Sequence, residues 1–210
     1  MTKNAILVVD LDDTLTVPGL NNTYHFLLFH HMKKMGKAGK IFYKTSSLLI
    51  RMVLLLLKRI GIQVNEDAIL ITMLCQGQNL SDLLASSVYW FRFIVRKKLY
   101  NVKTLGLLKH LAQKYNIMKV AVLTCCIEVP ACDVAKLINA DKCIARRLRN
   151  NAGSKIVQLI DKHNCVVYKM YQILRLRREF TNATFIYVVD KNSAEHETMI
   201  LKLFDNVIVV

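Results

Sequence analysis

Apolar residues near the N-terminus form one unbroken run, residues 5–9, which stops at three carboxylates, Asp10, Asp12 and Asp13. A short continuous apolar run bounded by polar residues predicts a strand buried on both faces of a parallel sheet. In open α/β sheets, ligands bind in the crevice outside the carboxyl ends of the strands. Acids at positions i and i+2 there repel each other unless a cation lies between them. The cluster is therefore a candidate metal site, and the alternative is a solvated turn or a helix cap.

From residue 118 onward, short apolar runs alternate with amphipathic stretches. Two of the runs repeat the form of the first: one ends at Thr124 and the other ends at Asp190. We predict strands at 118–123, 142–145, 184–189 and 207–210, helices at 128–139, 167–179 and 193–203, and a loop at 150–153. Strands that alternate with helices indicate a parallel sheet covered on both faces.

Residues 21–115 have almost continuous helical periodicity, with short breaks at Gly36, Gly39, Gly61 and Gly77. The apolar stripe of residues 41–60 predicts a buried helix of a small bundle, and a helix on a membrane surface is the alternative. Its centre, residues 48–57, is apolar except for Arg51 and is too short to span a bilayer, which needs about 20 residues. Further helices are predicted at 80–98, capped by Asn79 or Ser81, and at 102–115.

The first strand must join the sheet from far away in sequence. We therefore predict a Rossmann-like α/β core formed by residues 1–15 and 116–210, with helices on both faces of a parallel sheet. Residues 16–115 form an inserted all-helical cap domain over the carboxyl ends of the strands.

The charge is concentrated in this cap. Residues 16–115 contain fifteen Lys or Arg and three acidic residues, so +12 of the formal net charge of +15 lies there. The asymmetry indicates an anionic partner, such as a phosphorylated substrate or an acidic membrane surface, or it simply keeps the protein in solution. A nucleic-acid role is disfavoured, because the aromatic and basic residues at 89–93 fit a helix core better than a stacking surface.

The six cysteines show no Cys-x-x-Cys pair, so a zinc site and a disulfide framework are both disfavoured and reduced thiols are expected. The N-terminal apolar run is only five residues long and ends in acid, unlike a signal peptide. We therefore expect a cytoplasmic protein. Cys125 and Cys126 follow Thr124, and we predict packing roles for them because the sequence offers no paired base.

The pattern of a strand followed by Asp10-x-Asp12-x-Thr14 resembles the first motif of the haloacid dehalogenase superfamily, most of whose members are phosphatases. Candidates for the other three motifs occur in the family's order, at Thr124, Lys169 and Asp190. The helical insert between the first two motifs, and the residues after Thr124, resemble the phosphoserine-phosphatase-like branch. Each motif alone is a weak signal, but the four candidates together are spread over nearly the whole chain.

This resemblance implies an Mg²⁺-dependent phosphomonoester hydrolase that acts on a small phosphorylated, anionic metabolite. Asp10 would be the nucleophile and Asp12 the general acid and base. Thr124 and Lys169 would bind the phosphoryl oxygens. Magnesium would be held by the carboxylates of Asp10 and Asp190 and by the backbone carbonyl of Asp12, all hard oxygen ligands. Thr14 would orient the loop.

One departure concerns the fourth motif, which usually has a glycine before its Asp and a second Asp four or five residues later. Here Val189 precedes Asp190, Ala194 stands at the fourth position and Glu195 at the fifth. Glu195 is either an outer-shell metal acid or only an acid of the first helical turn, with Ser193 as the cap. Lys155 is an alternative to Lys169 that fits the family spacing less well.

Two other functions remain open to test. A catalytically weakened relative would bind a phosphorylated ligand or an acidic membrane surface without efficient turnover, which the altered fourth motif favours. A signalling receiver domain also places Asp, Thr and Lys around a parallel sheet. It is disfavoured, because its phosphate acceptor ends a later strand and no helical bundle separates its first two strands.

Overall fold

A computed structural model of the chain describes residues 4–60, 66–75, 78–150, 157–160 and 163–210. Seven strands are present in this part of the chain: β1 (Asn4–Val9), β2 (Asn116–Ile127), β3 (Lys142–Arg146), β4 (Leu148–Asn150), β5 (Val157–Leu159), β6 (Thr184–Val189) and β7 (Asn206–Val209). The helices are α1 (Asn22–Arg59), α2 (Glu66–Cys75), α3 (Leu80–Lys97), α4 (Val102–Lys114), α5 (Glu128–Val134), α6 (Cys165–Glu179), α7 (Lys191–His196) and α8 (Thr198–Leu201), and a 3₁₀ turn, Ala135–Ile138, extends α5.

Five strands form one parallel sheet in the order β3-β2-β1-β6-β7. The central strand, β1, is buried along residues 5–9 because it has neighbours on both edges and helices on both faces. Val9 pairs with Val122 of β2 and with Val188 of β6, so the carboxyl ends of the three strands lie side by side. The parallel sheet predicted from the apolar runs is confirmed.

Alternate residues of β1 enter two different apolar layers. Leu7 and Val9 pack in the layer that contains residues of α1, α3 and α4, whereas Ile6 and Val8 pack in the layer that contains residues of α6 and α8. A strand with apolar side chains on both sides requires such double coverage, since neither face can be left in water. Helices therefore cover both faces of the sheet, as predicted.

Helix α1 is a helical hairpin, because Gly36 breaks it with φ 59° and ψ −138°. This backbone conformation is accessible to glycine and costly for other residues. Tyr43, in the second half, donates a hydrogen bond of 2.9 Å to the carbonyl of Tyr24 in the first half. Gly39 lies directly against the backbone carbonyl of His31, where a side chain would clash. The predicted break at Gly36 is confirmed, whereas Gly39 lies within the helix.

The chain enters and leaves the helical insert through two adjacent segments. Thr16 bridges to Tyr100, and the N–H of Asn101 donates to the carbonyl of Leu15 at 2.8 Å. Helix α4 follows this exit and contacts β2 of the sheet. The predicted cap boundary at residue 115 thus includes one helix, α4, that packs on the sheet.

Several local predictions need correction. Residues 148–150 and 157–159 pair as antiparallel strands, β4 and β5, which were not predicted, so Asn150 of the predicted loop lies in a strand; residues 151–153 lie outside the described residues. The predicted helix 193–203 is two short helices, α7 and α8, interrupted at Glu197. Asp190, not Ser193, caps α7 by accepting the N–H of Ser193 at 3.0 Å. The predicted breaks at Gly61 and Gly77 lie outside the described residues.

No helix in the described part of the chain is long and apolar enough to cross a membrane.

Candidate active site

Asp10 and Lys169 meet in the interior although 159 positions separate them. Asp10 directly follows β1, and Lys169 projects from α6, whose first turn is capped by the side chain of Asn164. The Lys169 Nζ lies 3.0 Å from Asp10 Oδ1, and both side chains are buried. A buried ammonium of this kind needs charge compensation, which Asp10 supplies in part.

Glu197 supplies the second carboxylate, and the sequence analysis did not identify it. Its Oε1 lies 2.7 Å from Lys169 Nζ, and its Oε2 accepts a 3.1 Å hydrogen bond from the Tyr187 hydroxyl. The interruption between α7 and α8 occurs at this residue. One sequence signal was available: Glu197 precedes the fully buried Ile200 by three positions, which places both on the inward side of a predicted helix.

The charges of this cluster favour a protonated lysine. Burial alone would lower the pKa of Lys169, but the neighbouring Asp10, Tyr187 and Glu197 raise it well above its usual range. Burial raises the pKa of Tyr187, so its hydroxyl keeps the proton that it donates to Glu197. Lys169 therefore remains a cation next to the Asp10 carboxylate.

Thr14 connects the first loop to the end of β6. Its hydroxyl oxygen accepts the backbone N–H of Asp190 at 2.8 Å and lies 3.5 Å from Asp190 Oδ2. Asp190 and Thr14 are both buried. These two contacts attach the loop after β1 to the end of β6, and the role of Thr14 in orienting that loop stays a prediction.

Asp12 turns toward the helical insert. Its Oδ1 accepts hydrogen bonds from the backbone N–H of Asn22, at 2.8 Å, and from the Asn22 side-chain amide, at 2.7 Å. Its Oδ2 accepts a 2.7 Å hydrogen bond from the Cys126 thiol. Burial raises the pKa of Asp12, and the negative charge of Asp10 acts in the same direction, although these three hydrogen bonds oppose the shift.

A cavity of about 140 Å³ lies between Asp12 and helices α1 and α2. Residues of α1 and α2 form its apolar wall, with Leu27, Ile71 and Leu74 among them. Arg51 of α1 is the one cation among the described residues that line it. The cavity therefore combines an acid, a cation and an apolar surface, which suits a small organic anion.

Thr124 is buried in β2, two positions beyond the Val122 that pairs with Val9. Its hydroxyl oxygen accepts the N–H of Cys126 at 3.1 Å. The next residue, Cys125, forms a disulfide with Cys165, the first residue of α6. The expectation that all cysteines are reduced is therefore wrong for this pair, because the fold brings together thiols 40 positions apart that no local spacing reveals.

Two further candidates from the sequence analysis are Glu195 and Lys155. Glu195 is exposed on α7, and the acid that contacts Lys169 is Glu197, two residues later. Lys155, the alternative lysine, lies outside the described residues.

The predicted magnesium site would draw on residues at the ends of β1 and β6. Asp10 and Asp190 are buried carboxylates that follow neighbouring strands. Lys169 contacts two buried carboxylates, Asp10 and Glu197, and its single positive charge compensates only one of them. Carboxylate and carbonyl oxygens are ligands that suit a divalent cation such as magnesium. Among the described residues, no three His, Cys, Asp or Glu side chains are grouped to hold a metal, but the predicted set uses only two carboxylates and a backbone carbonyl.

The fold, with a central β1 flanked by β2 and β6, is similar to that of solved structures of a HAD family hydrolase and of phosphoserine phosphatases. A HAD family hydrolase from Salmonella enterica serovar Typhi is similar at a TM-score of 0.59 and 13% identity, over 97% of this chain and 61% of that one. A probable phosphoserine phosphatase from Vibrio cholerae gives a TM-score of 0.62 and 11% identity, over 99% of this chain and 56% of that one. A substrate-bound phosphoserine phosphatase gives a TM-score of 0.59 and 12% identity, over 100% of this chain and 87% of that one.

The chain thus spans less than two thirds of the length of the first two of these proteins. No family model matches the sequence, and no curated protein matches it either. At these identities the likeness establishes the fold.

Proposed function

We propose that this protein is an Mg²⁺-dependent phosphomonoester hydrolase that acts on a small phosphorylated metabolite through an aspartyl-phosphate intermediate. The observation that carries the proposal is the buried contact of Lys169 with Asp10 at the carboxyl end of the central strand. The resemblance of the four sequence motifs, and the fold shared with phosphatases, support the same class of reaction.

In the first step, Asp10 Oδ2 attacks phosphorus, and the bond between phosphorus and the ester oxygen breaks. This oxygen atom suits the role because no described residue donates a hydrogen bond to it. Lys169, fixed between two carboxylates, offsets the negative charge that accumulates on the phosphoryl oxygens. The hydroxyl of Thr124 would bind another of these oxygens.

Asp12 donates a proton in the first step and accepts a proton in the second. Its raised pKa favours the protonated form that donates to the leaving alkoxide. The resulting carboxylate then accepts a proton from the water that hydrolyses the aspartyl phosphate, which regenerates Asp10 and releases phosphate. Asp12 borders the cavity beneath the cap, so the leaving group would occupy that cavity.

Asp10, Asp190 and the carbonyl of Asp12 would hold the magnesium ion, which supplies positive charge against the repulsion between the carboxylate and the phosphate. The cavity favours a leaving group of a few heavy atoms that carries an anionic group near Arg51.

The test is release of inorganic phosphate from a panel of small phosphomonoesters, with magnesium and with a chelator, by the wild type and by Asp10→Asn. Asp13→Asn is the matched control, because Asp13 lies in the same turn but its side chain accepts the N–H of Gly19. Metal-dependent turnover that is lost in Asp10→Asn and kept in Asp13→Asn supports the proposal. Turnover that survives Asp10→Asn contradicts it.

A second candidate is a weakened relative that binds a phosphorylated ligand without efficient turnover. One observation favours it: the carboxylate of Asp190 is engaged by the N–H of Ser193 and by Thr14, and Val189 replaces the usual glycine. Folded protein that binds phosphate in calorimetry, yet releases none from any ester, would support this candidate over hydrolysis.

A further inference from the structure

The second half of α1, residues 37–59, packs one of its sides, the inner face, against the rest of the protein. Tyr43, Ser47, Ile50 and Leu54 are buried against the rest of the protein. Their spacing of four, three and four positions places them on one side of the helix. This stripe is sufficient to attach the helix to its neighbours.

The opposite side of the same helix is apolar and uncovered. Eight large apolar side chains there are each 53–67% exposed: Ile41, Phe42, Leu48, Leu49, Met52, Val53, Leu55 and Leu56. Single exposed apolar residues are common on protein surfaces, but a contiguous set of this size marks an interaction site. We call this set the outer apolar face.

Cations line one edge of the outer apolar face. Lys37, Lys40 and Lys44 follow one another at intervals of three and four positions, which places them on one flank of the helix. All three are exposed. Residues 37–59 contain six Lys or Arg and no acidic residue.

We propose that this half of α1 docks in the plane of an anionic lipid membrane, with the outer apolar face in the headgroup–acyl boundary and the flanking cations on the lipid phosphates. A helix of this composition is typical of interfacial binding. At a rise of about 1.5 Å per residue, it would lie along the surface for about 35 Å.

Charge complementarity distinguishes this occupant from two others. A second copy of the chain would bring another helix with six basic residues and no acid against the first, so the like charges would oppose the apolar contact. A nucleic acid would satisfy the cations but would leave the outer apolar face in water. An anionic membrane satisfies both the cations and the apolar side chains.

The test is co-sedimentation of the full chain with vesicles of phosphatidylglycerol and phosphatidylcholine, compared with vesicles of phosphatidylcholine alone, at low and high salt. The variant Leu48→Asp/Leu56→Asp removes apolar contact at the centre of the outer apolar face. Val102→Asp/Met199→Asp is the control, since it makes the same charge change at two exposed apolar residues on other helices, 67% and 59% exposed. Circular dichroism and thermal unfolding establish that each variant is folded.

We expect the wild type to bind the anionic vesicles, less at high salt, and the Leu48/Leu56 variant to bind about tenfold or more weakly, with the control unchanged. Sedimentation velocity without lipid is expected to show a monomer. The proposal is overturned if the wild type binds neither type of vesicle, if the control loses binding equally, or if the chain forms a dimer that the Leu48/Leu56 substitutions dissociate. Phosphate release from a soluble ester is measured in parallel, so that failure of docking and failure of the proposed hydrolase are distinguishable.

Discussion

Replacing Lys169 with methionine removes the cation that separates two buried carboxylates. Methionine approximates the length of the lysine side chain, so the change removes mainly charge and hydrogen bonds. Asp10 and Glu197 are then two buried negative charges with no cation between them. We expect Lys169→Met to destabilise the fold as well as to abolish any phosphate release.

The magnitude follows from the two distances. At an effective dielectric constant of about 20, a unit charge pair at 2.7 Å is worth about 6 kcal/mol and one at 3.0 Å slightly less. The cost of desolvating the lysine cancels much of this attraction. Removal of one partner from a buried pair typically costs about 3–5 kcal/mol, because the other charge remains buried and unpaired.

The double variant Lys169→Met/Glu197→Gln separates charge from packing. Glutamine keeps the shape of Glu197 and its contact with Tyr187 while it removes one of the two stranded charges. We therefore expect the double variant to be more stable than Lys169→Met alone, by about 1–3 kcal/mol, although Glu197→Gln alone is destabilising.

The pH dependence has a definite sign. Burial raises the pKa of Glu197 above the ordinary value of 4.5, and the charge of Lys169 opposes this. Without Lys169 the folded-state pKa rises further, so the folded protein binds a proton that the unfolded chain releases. The stability lost in Lys169→Met is then largest above the folded pKa of Glu197 and is regained as the pH falls toward 4.5.

Urea unfolding of the four proteins, followed by circular dichroism at pH 7.5 and at pH 5, measures each of these terms. Strictly additive free energies in the double variant, or a deficit for Lys169→Met that grows with acid, would refute the charge argument.

Three further outcomes are expected. Asp12→Asn lowers kcat/KM, which reports on the first step alone, by about 10²–10⁴-fold for alkyl phosphates and much less for p-nitrophenyl phosphate, whose leaving group needs no proton; equal losses of kcat/KM for both esters would contradict the role of an acid. Cys165→Ser lowers the free energy of unfolding by about 4 kcal/mol, since the bond to Cys125 closes a loop of 40 positions. Thiol titration of the denatured, unreduced chain should find four free cysteines, and six would contradict the disulfide. Gly39→Ala lowers the thermal midpoint because its new methyl group meets a backbone carbonyl, whereas Gly106→Ala, in open space on a helix, raises it.

The sheet could be predicted from the sequence because its strands are continuous apolar runs. The predicted strand 184–189 agrees with β6 to the residue, and the other strands of the sheet differ by only a few residues. Burial on both faces of a sheet explains such runs. A strand can therefore be predicted from its own run, without knowledge of its neighbouring strand or of the register between them. Asp10 and Asp190 directly follow β1 and β6 as predicted, whereas β2 continues past Thr124 to Ile127.

The parts that escaped prediction depend on contacts between distant residues. Glu197 interrupts a helix whose periodicity continues through it, because the side chain is held by Lys169 and Tyr187. The bond between Cys125 and Cys165 follows from the approach of β2 to α6, which no local pattern specifies. The exposed side of α1 was predicted to be buried, because an apolar stripe does not reveal which of two apolar sides contacts the protein.

The hydrogen bonds of Asp12 make the pKa of its carboxyl group depend on the position of α1. Both oxygens of this carboxylate are held, one by Asn22, where the cap begins, and the other by Cys126, just after Thr124. The hydrogen bonds to Asn22 favour the ionised form of Asp12 and oppose the burial that favours the protonated form. A movement of α1 away from the core would break these hydrogen bonds and at the same time admit water to the carboxylate. The two changes act on the pKa of Asp12 in opposite directions, so the proton affinity of the acid changes less than either contribution alone. If Asp12 is the general acid that we propose, a substrate that enters by this movement would change the pKa of the acid less than either effect alone.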